Sequence, residues 1–305
     1  MTLFPRASTM LAFACAAALL ACAPARAVTI DTATGPAEID TRPDTVAVYD
    51  IAAIDTIHAL GVPIAGVPDK LYLPQLGDVA GGAVVVGTLF EPDLEALNAL
   101  APDLVIVGGR SSRQAGETAR VAPTIDMTID GTHLLAEARA RIEAYGALFG
   151  REDAAAPLLA TLDADIAAAR DAADGRGTAL VVMTNGPKIS VYGPGSRFGW
   201  IHNELAIPAA VDDLDAGIHG DAVSFEFIAE ADPDWLIVID RAAAIGSGEQ
   251  NATQTLDNAL VAGTTAWTKG QVIHLPAADL YIGAGGASAT ARVLEAIAEG
   301  FATAQ

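Results

Sequence analysis

The sequence has only two cysteines, three lysines and few aromatic residues, and these shortages restrict what the chain can do. Both cysteines, Cys15 and Cys22, lie near the amino terminus, so the remaining chain can form neither a disulfide nor a cysteine-based metal site. Its 38 acidic residues outnumber 17 basic ones, giving a formal net charge of −21. Such a charge argues against binding to nucleic acid or to an anionic membrane surface.

Beyond the amino-terminal segment, no apolar run reaches the length of a transmembrane helix. The first 27 residues have the parts of a secretory signal peptide. Arg6 provides a basic start, residues 11–21 form an apolar run too short to span a membrane, and Ala25 and Ala27 occupy the positions that signal peptidase reads. The sequence therefore predicts a periplasmic protein with a signal peptide over residues 1–27. In the alternative interpretation, Cys22 is the acceptor of a lipid anchor.

The sequence also lacks the usual catalytic motifs. It contains no P-loop, no GxSxG and no HExxH, and the "GAGGAS" of residues 283–288 lacks the spacing of a dinucleotide-binding loop. Since no nucleophile and base are recognisable, the pattern favours a binding protein over an enzyme. A secreted α/β enzyme that acts on an anionic substrate remains the alternative from another class.

What the chain does contain is a repeated alternation of short apolar runs and helical stretches. The alternation begins at Val46, pauses over residues 132–173, where only helices are predicted, and then resumes. This order predicts an α/β fold of two lobes with mostly parallel sheets, joined by one long rigid helix, with a ligand cleft between the lobes. The predicted boundaries are 28–150 for the N-terminal lobe, 151–174 for the helix and 175–305 for the C-terminal lobe. Pro157 fits such a helix only near its first turn.

The two predicted lobes also share a short sequence pattern. Glu95 in the first and Glu226 in the second each lie seven residues before a proline, Pro102 and Pro233. In both copies, an aspartate and an apolar strand follow the proline. The pattern indicates that the two glutamates occupy equivalent places in the two lobes.

Three arginines stand apart from those on predicted helix faces. Arg110, Arg197 and Arg241 each follow a predicted strand, in the loop that leads to the next helix. In open α/β sheets, ligands bind at this carboxyl edge. Glycines beside Arg110 and Arg197 would allow a ligand to approach the backbone closely. Because a guanidinium pairs well with oxygen anions and stacks on aromatic rings, the three arginines predict an anion site.

Six stretches of the chain resemble the periplasmic ferric-siderophore-binding proteins of ABC importers, in the class with one long interlobe helix. In order, they are "VAVYDIAAIDTIHALGV", "GTLFEPDLEALNALAPDLVIV", "GPGSRFGWIH", "HGDAVSFEFI", "PDWLIVIDRAAAIG" and "VIHLPAADLYIGAGG". Within this family, the chain looks most like the catecholate and petrobactin binders. The resemblance implies a monomer that delivers a ferric siderophore to a permease and has no intrinsic cofactor.

The resemblance also implies roles for particular residues. Arg110, Arg197 and Arg241 match the arginines that surround the catecholate oxygens, and His219 and Tyr281 match residues that can complete the iron shell. We expect these two residues to ligate Fe(III) only when the siderophore is tetradentate. For docking on the permease, Glu95 and Glu226 match one acidic residue per lobe, with Glu91 as an alternative. Hydroxamate siderophores, haem and cobalamin remain alternative ligands.

Overall fold

The computed structural model describes residues 27–40, 42–214, 217 and 220–303. All of the predicted signal peptide except Ala27 lies outside these residues, as do Cys22 and His219. Within the described ranges, no helix is long and apolar enough to cross a membrane.

The described chain begins with an antiparallel hairpin that the sequence analysis did not identify. Strand β1 (Ala27–Thr32) pairs with β2 (Gly35–Asp40), and Gly35 in the turn has a φ of 108°. Ile30 is buried, and alternate residues of both strands pack on the core of the protein. The short alternation of apolar and polar residues in each strand was the available signal.

The N-lobe comprises the elements that precede the long helix, and its five-stranded sheet is entirely parallel, as the alternation predicted. In sheet order, the strands are β5 (Val84–Val85), β4 (Gly66–Val67), β3 (Val46–Val48), β6 (Leu104–Val107) and β7 (Thr124–Asp126). The covering helices are α1 (Ile51–Ala59), α2 (Gly77–Gly82), α3 (Leu94–Leu100) and α4 (Ala115–Thr118), with 3₁₀ turns at Pro74–Leu76 and Gly109–Gln114.

Two long helices follow the N-lobe sheet. Helix α5 (Leu134–Phe149) ends at Gly150, whose φ of 60° suits a left-handed cap, and α6 (Glu152–Ala173) begins two residues later. Pro157 lies at the sixth position of α6, in its second turn, so the expectation of a place near the first turn was wrong. The proline lacks an N–H, which costs one intrahelical hydrogen bond. Helix α6 nevertheless extends over 22 residues in total, and it packs against α14 near the end of the chain.

The C-lobe comprises the elements after α6, and its five-stranded sheet is mixed. In sheet order, the strands are β10 (Asp221–Ala222), β9 (Lys188–Tyr192), β8 (Ala179–Asn185), β11 (Trp235–Asp240) and β12 (Val272–His274). Strands β8, β11 and β12 are parallel, whereas β9 returns antiparallel beside β8 through a tight turn. The helices are α7 (Trp200–Asn203), α8 (Phe225–Ala231), α9 (Arg241–Ile245), α10 (Ala252–Leu256), α11 (Ala259–Ala262), α12 (Thr265–Thr268), α13 (Ala277–Tyr281) and α14 (Ala287–Thr303).

Hydrogen bonds to helix ends join the two lobes. The buried Asp55 carboxylate in α1 accepts from the backbone N–H groups of Ser288 and Ala289, at 2.7 and 3.0 Å, where α14 begins. In the opposite direction, the Glu204 carboxylate of the C-lobe accepts from Leu135 and Ala136, at 2.9 and 3.0 Å, where α5 begins. A carboxylate is favourable at a helix N-terminus because the first N–H groups lack intrahelical partners. These reciprocal caps hold the lobes in a defined arrangement.

Candidate ligand-binding site

A cavity of about 440 Å³ lies between the lobes. Its lining combines loops at the carboxyl edge of the N-lobe sheet with the C-lobe segments around Arg197 and Tyr281. The charged or phenolic lining residues are Asp50, Arg110, Asp130, Arg197 and Tyr281. A groove of about 500 Å³ between α6 and α14 contains none of the predicted site residues.

Two of the predicted arginines approach Tyr281 from different lobes. Arg110 Nη2 donates to the Tyr281 carbonyl oxygen at 2.7 Å, and Arg197 Nη2 lies 3.5 Å from the same oxygen. Their guanidinium carbons lie 4.9 and 5.0 Å from the centre of the Tyr281 ring. Arg197 also stacks on Phe198, with 4.7 Å between its guanidinium carbon and the ring centre. Both side chains are therefore held beside an aromatic surface at the cavity wall.

Arg241, the third predicted arginine, lies behind Tyr281 rather than on the cavity wall. Its Nε donates to the Tyr281 hydroxyl at 2.9 Å, and its Nη1 donates to Asn185 Oδ1 at 2.8 Å. Asn185 ends β8, the central strand of the C-lobe sheet, and the sequence analysis did not identify it. Its place at the end of an apolar strand was the only signal. The structure thus brings together all three predicted arginines and Tyr281.

The turn that carries Arg110 depends on two glycines after β6. Gly109 has a φ of 50°, in the left-handed region, and a Cβ on Gly108 would lie 3.0 Å from the Asp50 carboxyl carbon. The close approach lets the 3₁₀ turn pack against the start of α1. Arg110 consequently extends from the carboxyl edge of the sheet, as predicted.

The placement of Arg197 differs from the prediction. Because β9 is antiparallel to β8, its last residue, Tyr192, pairs with Val181 near the start of β8 rather than near its carboxyl end. A compact loop then returns Arg197 to the cavity, with the Ser196 backbone N–H and hydroxyl both bonded to the Gly193 carbonyl, at 3.0 and 2.7 Å. Arg197 is therefore not at a position equivalent to Arg110 and Arg241, although it reaches the same cleft.

The arginine cluster is strongly electropositive. In the described part of the chain, none of the three arginines has a carboxylate within ion-pair distance. Burial, together with the charge of Arg110, lowers the pKa of Arg197. Burial would raise the pKa of Tyr281, but the Arg241 hydrogen bond and the three guanidinium charges outweigh it and hold that pKa below its ordinary value. The site is thus arranged to accept negatively charged oxygen atoms.

The predicted docking residues lie at two equivalent helix starts. Glu95 is exposed in the first turn of α3, after Asp93, whose side chain caps the helix. Glu226 is exposed in the first turn of α8, where a hydrogen bond with Ser224 lowers its pKa. Glu91, the alternative, is also exposed, in the turn before α3. The positions of Glu95 and Glu226 agree with the sequence pattern that the two lobes share. Their role in docking on a permease stays a prediction.

Relatives with similar sequences are named as binding proteins for iron chelates. The sequence model of the periplasmic binding protein family matches residues 46–278. Petrobactin-binding protein YclQ of Bacillus subtilis is 33% identical over 269 residues, which cover 86% of this chain and 84% of that protein. Ferric-anguibactin-binding protein FatB of Vibrio anguillarum is 31% identical over 281 residues, or 88% and 85% of the two chains.

Solved structures of siderophore-binding proteins have the same fold as this chain. The crystal structure of YclQ has a TM-score of 0.84 at 32% identity and covers 90% of this chain and 99% of its own. The structure of the siderophore-binding protein BauB, bound to a complex of two acinetobactin molecules and ferric iron, has a TM-score of 0.82 at 30% identity, with 90% and 99% coverage. Both the matched family model and these relatives span most of the chain. The chain therefore belongs to the periplasmic binding protein family.

Proposed function

We propose that this protein captures a ferric catecholate-type siderophore in the periplasm and delivers it to the permease of an ABC importer. The observation that carries the proposal is the convergence of Arg110, Arg197 and Arg241 on Tyr281 at an interlobe cavity. The names of YclQ and FatB, which bind petrobactin and ferric anguibactin, support the same ligand class.

The chemistry of the cleft suits a ferric catecholate. A ferric tris-catecholate carries roughly three net negative charges, spread over oxygen atoms around a hard metal ion. Guanidinium groups form charge-assisted hydrogen bonds with these oxygens and stack against the flat catechol rings. Hydroxamate siderophores, haem and cobalamin present less anionic oxygen, so three arginines without an ion-pair partner among the described residues favour the catecholate class over them.

A binding role also accounts for the site better than catalysis does. The relatives are named as binding proteins, and the cleft chemistry described above is that of charge recognition. An enzyme would need a nucleophile or base positioned against its substrate. We therefore assign the cleft to ligand capture, with the iron chelate as cargo rather than as a resident cofactor.

The proposed location follows from the family and from the amino terminus. Residues 1–27 would act as a signal peptide, and the mature protein would work as a periplasmic monomer. Anchoring through lipid on Cys22 is the alternative. Mass measurement of the protein purified from whole cells distinguishes the two forms. A diacylated Cys22 would add the mass of its lipid, whereas signal peptidase cleavage after Ala27 would leave a chain without lipid.

The ligand assignment is tested by thermal unfolding with a panel of iron chelates. Specific binding to the folded state raises the melting temperature by mass action, so ferric catecholates should stabilise the protein more than hydroxamate complexes, haem or cobalamin. The recovered chelate should be chemically unchanged. If no ferric catecholate shifts the melting temperature, while haem or cobalamin does, the assignment is wrong.

Two further residues should become iron ligands when the siderophore leaves coordination sites open. A tetradentate bis-catecholate supplies four of the six ligand atoms that Fe(III) prefers, and we expect the Tyr281 phenolate oxygen and a nitrogen of the neutral His219 imidazole to supply the other two. The lowered pKa of Tyr281 favours phenolate formation. Tyr281→Phe and His219→Ala should each weaken binding of the tetradentate complex and shift its visible charge-transfer band.

The matched control for this prediction is a hexadentate siderophore, which satisfies iron without the protein. Its affinity and spectrum should change much less in both variants. An unshifted band for the tetradentate complex in both variants would show that neither residue ligates the metal.

A further inference from the structure

Asp50 places a carboxylate in the wall of the positively charged cleft. It lies between β3 and α1, and its Oδ2 caps the helix by accepting from the Ala53 N–H at 3.1 Å. The side chain lines the same cavity as Arg110 and Arg197 and packs against the Gly108 backbone. An anionic chelate seated between the arginines would therefore share a small cavity with a second negative group.

The surroundings of Asp50 only partly balance its charge. The positive charges of Arg110 and Arg141 stabilise the ionised Asp50 carboxylate, whereas the negative charge of Asp126 destabilises it. The Tyr145 hydroxyl is a further titratable group that faces Asp50. In the described residues, Asp50 has no cation within ion-pair distance. Burial outweighs the helix cap and the two arginines, and it raises the pKa of Asp50 to about 6.

We propose that Asp50 is a specificity-determining residue, which disfavours strongly anionic chelates unless it takes up a proton as they bind. The inference rests on the proposed function, because it requires an anionic ligand in this cleft. A nearby negative charge raises the pKa of a carboxyl group, so the bound ligand makes protonation of Asp50 easier than in the empty protein. Binding and proton uptake are then coupled.

The sign of the pH dependence follows from this coupling. Well below the pKa of about 6 in the empty protein, Asp50 is neutral in both states and does not oppose the ligand. As the pH rises towards the higher pKa of the complex, binding requires proton uptake, and affinity falls by at most about tenfold per pH unit. Above both pKa values, Asp50 is ionised in both states and affinity stays at its lower value.

Asp50→Asn isolates this effect because asparagine keeps a side-chain oxygen for the helix cap and carries no charge. The probe is one preformed hexadentate ferric tris-catecholate, which carries about three negative charges and needs no ligand from the protein, used between pH about 6 and about 8 where its own spectrum is constant. The variant should bind about tenfold more tightly than wild type at the upper pH, and the difference should narrow to about twofold at the lower pH, where about half of Asp50 is already protonated in the empty protein. Titration calorimetry in buffers of different ionisation enthalpy should show proton uptake by the wild type that the variant lacks.

Asp130→Asn is the matched control, since Asp130 lines the same cavity. Hydrogen bonds from Thr132 lower the pKa of Asp130, so it stays ionised over the whole interval. Whatever its overall affinity, this variant should keep the wild-type pH dependence and proton uptake. Asparagine can accept both Thr132 bonds through Oδ1, which leaves the local turn intact.

The outcomes separate this inference from the proposed function. Chelate binding with the same pH dependence and proton uptake in wild type and Asp50→Asn would overturn the role of Asp50 and leave siderophore capture standing. Failure of the wild-type protein to bind any ferric chelate would overturn both. Loss of proton uptake in Asp50→Asn, with retention in Asp130→Asn, is the result that supports the inference.

Discussion

Single replacement of Arg110, Arg197 or Arg241 by alanine should weaken binding of a ferric bis-catecholate by about 10- to 100-fold. Losing a charge-assisted hydrogen bond costs about 1.5–3 kcal/mol, and each 1.4 kcal/mol is about tenfold in affinity. For Arg110 and Arg197 the lost bond is to the ligand, whereas Arg241 acts through the Tyr281 hydroxyl. We expect the largest effect at Arg197, which lines the cavity and stacks on both Phe198 and Tyr281. Titration followed by quenching of tryptophan fluorescence measures the affinity.

The folded state should survive each of these changes, because the arginines bond to Tyr281 and Asn185 rather than filling the core. Arg120→Ala is the control, since Arg120 is exposed and its one ion pair among the described residues is with Glu117, at 2.8 Å, three residues away in sequence. It should bind like wild type. If the three cleft variants also bind like wild type, the interpretation of the cleft as an anion site is wrong.

Reversing the charge at both Glu95 and Glu226 should abolish siderophore uptake while leaving siderophore binding intact. Both side chains are exposed at the first turn of a helix, one in each lobe, and neither lines the interlobe cavity. Opposite charges across a docking surface set its register, so lysines at both positions would repel the basic partner groups expected on the permease. Uptake of radioactive iron by cells that depend on this protein measures the effect.

Glu230→Lys provides a matched control, since Glu230 is also exposed on α8, one turn after Glu226. It changes the net charge in the same direction and should leave uptake unchanged. Normal uptake by the Glu95→Lys, Glu226→Lys double variant would rule out this pair of docking residues. Glu91→Lys would then test the neighbouring alternative in the N-lobe.

Much of the fold could be predicted because apolar runs and helix stops are local signals. Val46–Val48 and Leu104–Val107 are almost entirely buried and apolar, and Gly150 ends α5 in a left-handed conformation that glycine favours. The arginines could be selected because each lies, in a chain with few basic residues, in the loop that follows a predicted strand. Their convergence on Tyr281 needed the resemblance to known binding proteins, since 40 to 171 residues separate the bonded pairs.

Other features depend on tertiary structure and had no local signal. The residues of an apolar strand do not show whether it runs parallel or antiparallel to its neighbour. The place of Arg197 relative to the carboxyl edge of the sheet therefore could not be inferred from Lys188–Tyr192. Asn185 ends a strand and Asp50 follows one, as many structural residues do, and only the folded chain shows which group each one faces. The place of Pro157 in the second turn of α6 likewise depends on tertiary structure, because the packing of α6 outweighs the poor helix propensity of proline.

The two reciprocal caps between the lobes have a consequence for transport. Opening the lobes widely would leave the N–H groups at the starts of α5 and α14 without their Glu204 and Asp55 partners. The cost is about 1–3 kcal/mol for a donor that stays buried, such as the Ala289 N–H. Empty and loaded protein should therefore differ little in shape and present nearly the same face to the importer. Under the proposed function, empty molecules would compete with loaded ones for the permease, so overproducing the protein while siderophore is scarce would slow iron entry rather than speed it.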